Sequence, residues 1–221
     1  VAGARPLGTL ADPPCETLKR IRKPMRNPNA VPLVLASTSR YRRSLLERCI
    51  DDFDVIAPNV DEAALTADTP LQLAALLART KAETVLPQHR KSIIIGSDQL
   101  AVRDGIVIGK PGDHAHAIDQ LLAASGKTVE FLTAACVLDP ANRRRYEHVD
   151  HTQVRFRQFD RRQAEVYLQH DKPYDCAGSF KVEGAGFVLF EGVKSEDPTA
   201  LVGLPMIWLA ATLRELGQLL P

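Results

Sequence analysis

Three consecutive isoleucines, Ile93–Ile95, run through Gly96 into Ser97-Asp98-Gln99. A short stretch that is apolar at every position suits a strand covered on both faces, the condition of a central strand in an α/β sheet. The stretch then meets a carboxylate. An unpaired buried carboxylate is costly, so a salt bridge, a metal or work as a base has to account for Asp98. The carboxyl end of such a strand is also where α/β folds place their ligands. One short segment thus predicts both the kind of sheet and the place of a site.

The rest of the chain supplies the layers. Leu33–Ala36 is a second apolar run, entered through Val31-Pro32 and left through Ser37-Thr38-Ser39, and a helical pattern continues to about Cys49. Residues 53–57 read as a strand, and 70–86 as a helix with Pro70 in its first turn. Beyond Gln99, residues 100–102 look like a further strand, and Asp104-Gly105 is its hairpin turn into 106–108. A helix over 113–124, a strand over 128–138, a turn over 139–144 and a strand over 146–159 come next. Asp160 caps a helix to His170, residues 187–190 form a strand, and 204–216 a closing helix. Strands and helices alternate while hairpins intervene, which predicts an α/β fold whose mixed sheet is flanked by helices.

Charge narrows the function. With 45% hydrophobic content, 221 residues can bury a sizeable core. The formal net charge is +1, so no global field draws the chain to a nucleic acid polymer or a membrane. Residues 1–30 carry Arg5, Lys19, Arg20, Arg22, Lys23 and Arg26 against Asp12 and Glu16, a local net of +4 that leaves −3 on the remainder. Rich in proline and without helical period, this stretch reads as a disordered basic leader, with 31–221 as the folded domain. No stretch approaches the roughly 18 apolar residues of a membrane span. Cys15, Cys49, Cys136 and Cys176 are far apart and form no C-x-x-C, which points to a reducing, cytoplasmic setting with neither a disulfide framework nor a zinc site.

Several further segments can carry chemistry. A strand that runs into the hydroxyl-rich Ser37–Ser39 and then into a helix presents free backbone N–H groups to an anion. Leu45, Leu46 and Cys49 make the apolar stripe of that helix, and Arg42, three, four and seven positions earlier, faces inward with them. A cation there opposes the helix dipole, so Arg42 calls for an anion, which can be a ligand or simply a protein carboxylate. Val60-Asp61-Glu62 places two acids just past a strand, where acids are commonly just solvated. Lys81 falls on the apolar stripe of the 70–86 helix, four and eight positions after Leu77 and Leu73, so it either snorkels to water or serves a site. Gly109-Lys110-Pro111 holds a lysine in a stiff turn. Cys176–Gly184 is a small-residue loop in which Glu183 precedes a glycine, although it is neither G-x-G-x-x-G nor a P-loop. His114 and His116 are two apart and cannot share a helix face, Arg143–Arg145 read as a solvated tip, and Trp208 as core.

Taken together, these segments resemble the Maf (septum-formation) family of nucleotide pyrophosphatases over residues 33–217. The family's L-A-S-x-S-x-R-R opening has its counterpart in Leu35-Ala36-Ser37-Thr38-Ser39 with Arg42-Arg43, and its V-D-E in Val60-Asp61-Glu62. Its L-A-x-x-K-A is Leu77-Ala78 through Lys81-Ala82, its G-[AS]-D is Gly96-Ser97-Asp98, and its lysine-proline turn is Lys110-Pro111. Ala177–Phe180 and Val202-Gly203-Leu204-Pro205 complete the series. The resemblance implies an elongated fold with a central cleft, a homodimer, and divalent-metal-dependent cleavage of a nucleoside triphosphate between its α- and β-phosphates. It implies that Ser37, Arg42 and Arg43 bind substrate while Lys81 and Lys110 neutralise the triphosphate. Glu62 and Asp98 would hold Mg²⁺ or Mn²⁺, with Asp98 also the proton acceptor. Three positions separate the family's branches, here Tyr41, Gln99 and Glu183. An aromatic, a glutamine and a glutamate resemble the branch acting on 7-methyl-GTP, whereas the dTTP and UTP branch carries arginine, threonine and glutamine. A cationic N7-methylated guanine can stack on Tyr41, and Glu183 can accept from its N1–H and amino group. The alternatives are a dTTP/UTP pyrophosphatase and a regulator of septum formation that acts by binding.

Overall fold

β1 (Leu33–Ala36) lies parallel to β3 (Ile93–Arg103), Leu33 against Ile93 and Ala36 against Gly96. The structure is a computed structural model and describes residues 31–221; the leader read over 1–30 falls outside the described residues. α1 (Arg40–Leu46) follows β1, β2 (Asp54–Ile56) pairs parallel on its outer side, and α2 (Pro70–Val85) returns the chain to β3. β4 (Ile106–Ile108) folds back on β3 through Asp104 and Gly105, whose φ of 53° and 77° suit a two-residue hairpin. α3 (His114–Ala124), β5 (Thr128–Asp139), β6 (Arg144–Phe156), α4 (Arg161–Asp171), β7 (Phe190–Lys194) and α5 (Met206–Glu215) complete the fold. The sheet runs β2-β1-β3-β5-β6-β7 with β4 on β3, parallel as far as β3 and antiparallel beyond it. This is the expected mixed α/β sheet. None of the helices among the described residues is long and apolar enough to cross a membrane.

Two readings need correction. Residues 93–103 form one continuous strand of 11 residues rather than two, because β5 pairs with it residue for residue from Ile94 to Val102 and holds Ser97-Asp98-Gln99 extended. Asp98 therefore sits within the strand and not beyond its end. Residues 187–190 are not a strand: Gly186–Leu189 is a 3₁₀ turn with Phe187 and Val188 exposed, and β7 begins only at Phe190. The chain is still turning there, with Val188 N–H bonded to the Ala185 carbonyl.

The strand alternation of β3 sorts its neighbours. Ile94 joins Ala74, Ala78 and Ala82 of α2 in one core, and Ile93 and Ile95 join Leu45, Leu46 and Leu209 of α1 and α5 in another, on the opposite face. A third core gathers α3 and α4 with Phe131, Phe156 and Phe180. α2 lies so close to β3 that a β-carbon on Gly96 would stand 2.2 Å from the Ala78 carbonyl oxygen. On one edge β1 ends opposite Gly96 and β4 ends opposite Ala101, so β3 is unpaired there from Ser97 to Leu100. That gap opens a cleft. Trp208 lies at the margin of its core, stacked on His148 with ring centroids 5.3 Å apart.

Candidate active site

A cleft of about 760 Å³ opens at this unpaired stretch of β3, with walls from α1, α2, β4 and the segment after α4. Ser97 and Asp98 are buried on opposite faces of β3. Asp98 points to α2, where Lys81, only 6% exposed, meets it with Nζ 2.5 Å from Oδ1. The lysine does not snorkel. The same ammonium lies 2.8 Å from Oε1 of Glu62, which stands on a 3₁₀ turn and is half-exposed. Burial pushes the Glu62 carboxyl up, but the hydrogen bond and charge of Lys81, with Lys110 and Arg42 behind them, prevail and hold it below the usual range.

Arg42 enters from the other side. Ser39 caps α1 by accepting from Arg42 N–H at 3.4 Å, and this register turns the guanidinium inward. Its Nε donates to the Gly203 carbonyl at 3.0 Å and Nη1 to Ser37 Oγ at 3.4 Å, while Nη2 stands 3.9 Å from Asp98 Oδ1. Burial lowers its pKa, opposed by Asp98 and Glu62. Ser97 Oγ donates to the same Gly203 carbonyl at 3.0 Å. Lys110 lines the cleft on an exposed turn.

Not every expected residue joins. One position round α1 from Arg42, Arg43 is turned to solvent, pairing with Glu47 at 2.7 Å, and does not line the cleft. Gln99 does line it, but its Nε2 is spent inside the protein, donating to Thr133 Oγ1 and to the Ala200 and Leu201 carbonyls at 2.9–3.1 Å. Tyr41 and Glu183 also line the cleft. The Arg40 guanidinium covers the Tyr41 ring at 4.9 Å and donates to its hydroxyl at 2.8 Å. Burial pushes the Tyr41 phenol up to about 12, against the Arg40 hydrogen bond. Glu183 is open to solvent on one side, yet protein crowds it enough for desolvation to raise its carboxyl.

Some participants carry no readable sequence signal. The carbonyls of Ala200, Leu201 and Gly203 orient Gln99, Arg42 and Ser97 through their backbone alone. Asp197, 4% exposed, fixes their loop to α5 by accepting from Thr199 and from Ile207 N–H at 2.6 Å. Arg40 and Asp175, 3.5 Å apart, also line the cleft, and only their place on its wall marks them.

The residues fit a divalent cation with oxygen ligands. Two carboxylates converge on one point, and among the described residues no group of three or more His, Cys, Asp or Glu could hold a metal. A pair of carboxylates whose remaining partners are phosphate oxygens and water suits Mg²⁺ or Mn²⁺.

The Maf-like protein family model matches residues 32–216. The chain belongs to the Maf family. Among its Maf relatives is the 7-methyl-GTP pyrophosphatase of Xanthomonas axonopodis pv. citri (strain 306), 49% identical over 189 residues that cover 86% of this chain and 98% of the relative. The 7-methyl-GTP pyrophosphatase of Ralstonia nicotianae is 46% identical over 83% of this chain and 94% of its own. Among solved structures, the Staphylococcus aureus Ham1 protein superposes on this Maf chain with a TM-score of 0.49 and 14% identity, over 83% of this chain and 98% of that one.

Proposed function

We propose that this chain is a nucleoside triphosphate pyrophosphatase that acts on 7-methyl-GTP and releases the monophosphate and pyrophosphate. The observation that carries the reading is the Arg42–Asp98–Lys81–Glu62 group in the cleft, its Lys81–Asp98 pair buried, in a chain nearly half identical to proteins named for that reaction. Arg42, Lys81 and Lys110, from three walls of the cleft, supply positive charge for a triphosphate. Asp98 accepts the proton as a water oxygen bonds to phosphorus and the α–β bridge breaks, its oxygen leaving with pyrophosphate. Glu62 and Asp98 would hold Mg²⁺ or Mn²⁺, whose chemistry is to neutralise charge on the phosphates. Tyr41 offers an aromatic face for a cationic base, and Glu183 an acceptor for the Watson–Crick edge of guanine. Arg43 has no part in this reading. A homodimer and a cytoplasmic setting go with it; sedimentation velocity tests the first and cell fractionation the second.

The deciding assay is pyrophosphate release from 7-methyl-GTP, GTP, dTTP and UTP with Mg²⁺ or Mn²⁺. Highest kcat/KM on 7-methyl-GTP is expected. Preference for dTTP or UTP would overturn the base assignment, and orthophosphate in place of pyrophosphate would overturn the α–β cleavage.

A further inference from the structure

The point where the Glu62 and Asp98 carboxylates converge is taken by Lys81. Its Nζ lies 2.8 Å from one and 2.5 Å from the other, in a side chain only 8% exposed. With Arg42 3.9 Å from Asp98, two cations already balance two carboxylates. A divalent ion entering alone would add charge to a neutral group and meet Lys81 at contact distance, in surroundings that screen like charges poorly.

The two cations differ in freedom. Arg42 is tied to the Gly203 carbonyl and to Ser37 Oγ. Lys81 reaches the group on a flexible four-carbon stem, and its ammonium bonds to Asp98 and pairs with Glu62. It is the member that a polyphosphate can draw aside. Once its ammonium turns to phosphate oxygens, Glu62 Oε1 and Asp98 Oδ1 are released together.

We propose that Lys81 is a built-in stand-in for the divalent cation, so that the protein takes up metal only along with phosphate and its substrate is the metal–nucleotide complex. This rests on the metal-dependent reading above. The same exchange frees Asp98 from Lys81 when the substrate is in place. By linkage the coupling is reciprocal: nucleotide tightens metal by the factor by which metal tightens nucleotide.

The test is Mn²⁺ binding to the full chain, followed by electron paramagnetic resonance of the free aquo ion, with and without α,β-methylene-GTP. Binding of Mn²⁺ by the analogue in buffer is subtracted. Wild type should bind Mn²⁺ about tenfold or more weakly alone than with the analogue. Lys81→Met should bind Mn²⁺ without the analogue about tenfold more tightly than wild type does. Lys81→Gln, neutral but still able to donate to Asp98, carries the same comparison if the methionine variant does not fold. Glu62→Gln should weaken Mn²⁺ in the ternary complex, which locates the ion. Equal Mn²⁺ affinity of wild type with and without analogue, or no gain in either Lys81 variant, would overturn the proposal. Absence of Mn²⁺ binding even with the analogue would overturn the metal-dependent reading, and this inference with it.

Discussion

Asp98 is held between two cations, with Lys81 Nζ 2.5 Å and Arg42 Nη2 3.9 Å from its Oδ1. Asp98→Asn keeps an oxygen for Lys81 but removes the proton acceptor and one metal ligand. Loss of a general base typically costs about 10²–10⁴-fold, so turnover should fall by about that factor while the circular dichroism spectrum stays native. Retention of more than about a tenth of wild-type kcat would remove Asp98 from the chemistry. At the proposed base site the structure adds a competitor. Arg40 already lies over the Tyr41 ring, so a cationic base must displace it or use the opposite face. Tyr41→Ala should lower kcat/KM for 7-methyl-GTP more than for GTP, by an extra factor corresponding to about 0.5–2 kcal/mol, since only the methylated base carries the charge. Arg40→Ala should shift the ratio the other way. Glu183→Gln should hurt both guanine nucleotides and spare UTP, because the amide presents one acceptor oxygen where the carboxylate presents two. Equal losses on all three nucleotides would mean that these side chains support the loop and do not read the base.

Among elements, the packing of α2 on β3 decides whether Lys81 and Asp98 meet. Ala78 and Ala82 face Gly96, and their small size brings the helix backbone against the strand. Lys81 follows three residues after Ala78 on the same buried face, so the helix-to-strand distance sets the Lys81–Asp98 contact. Gly96→Ala places a methyl 2.2 Å from the Ala78 carbonyl and 2.8 Å from Ala82 N. Both are backbone atoms and cannot rotate away. Overpacking of this kind typically costs about 1–3 kcal/mol, and the helix should also lift Lys81 from Asp98. Urea denaturation should show the loss of stability, and kcat/KM should fall even in the folded fraction. A variant as stable and as active as wild type would show that α2 is free to slide. The sequence carried half of this arrangement. The isoleucine run and the stripe of Leu77 and Lys81 marked the strand and the helix face. That Asp98 lies inside β3 depends on its pairing with β5, a long-range contact that no local pattern holds. The same holds for 187–190, where an apolar run read as a strand is instead a turn with Phe187 exposed.

For the whole molecule, the site was legible wherever a charged side chain sat on an apolar face. Arg42 and Lys81 were each out of place in their helices, and the fold brings both to Asp98. It was illegible where backbone does the work: the Gly203 carbonyl holds Arg42 and Ser97 without any side chain to announce it. Arg43 shows the opposite failure, since a motif with paired arginines cannot say which of the two faces the cleft, and the helix turns Arg43 to Glu47. Composition separated residues 1–30 from the rest as a basic stretch without helical period, and the family match begins at residue 32. If the catalytic unit is the part that matches, removing residues 1–30 should leave its chemistry and cooperativity intact. The truncated chain should release pyrophosphate from 7-methyl-GTP with kcat and KM within about twofold of the full chain, a difference worth less than RT. Its melting temperature should also change little, because about 1 kcal/mol would already shift a domain of this size by some 2–4 °C. A larger fall in melting temperature would show that the leader packs on the domain. A rise in KM with unchanged stability would assign its basic residues to the capture of the nucleotide.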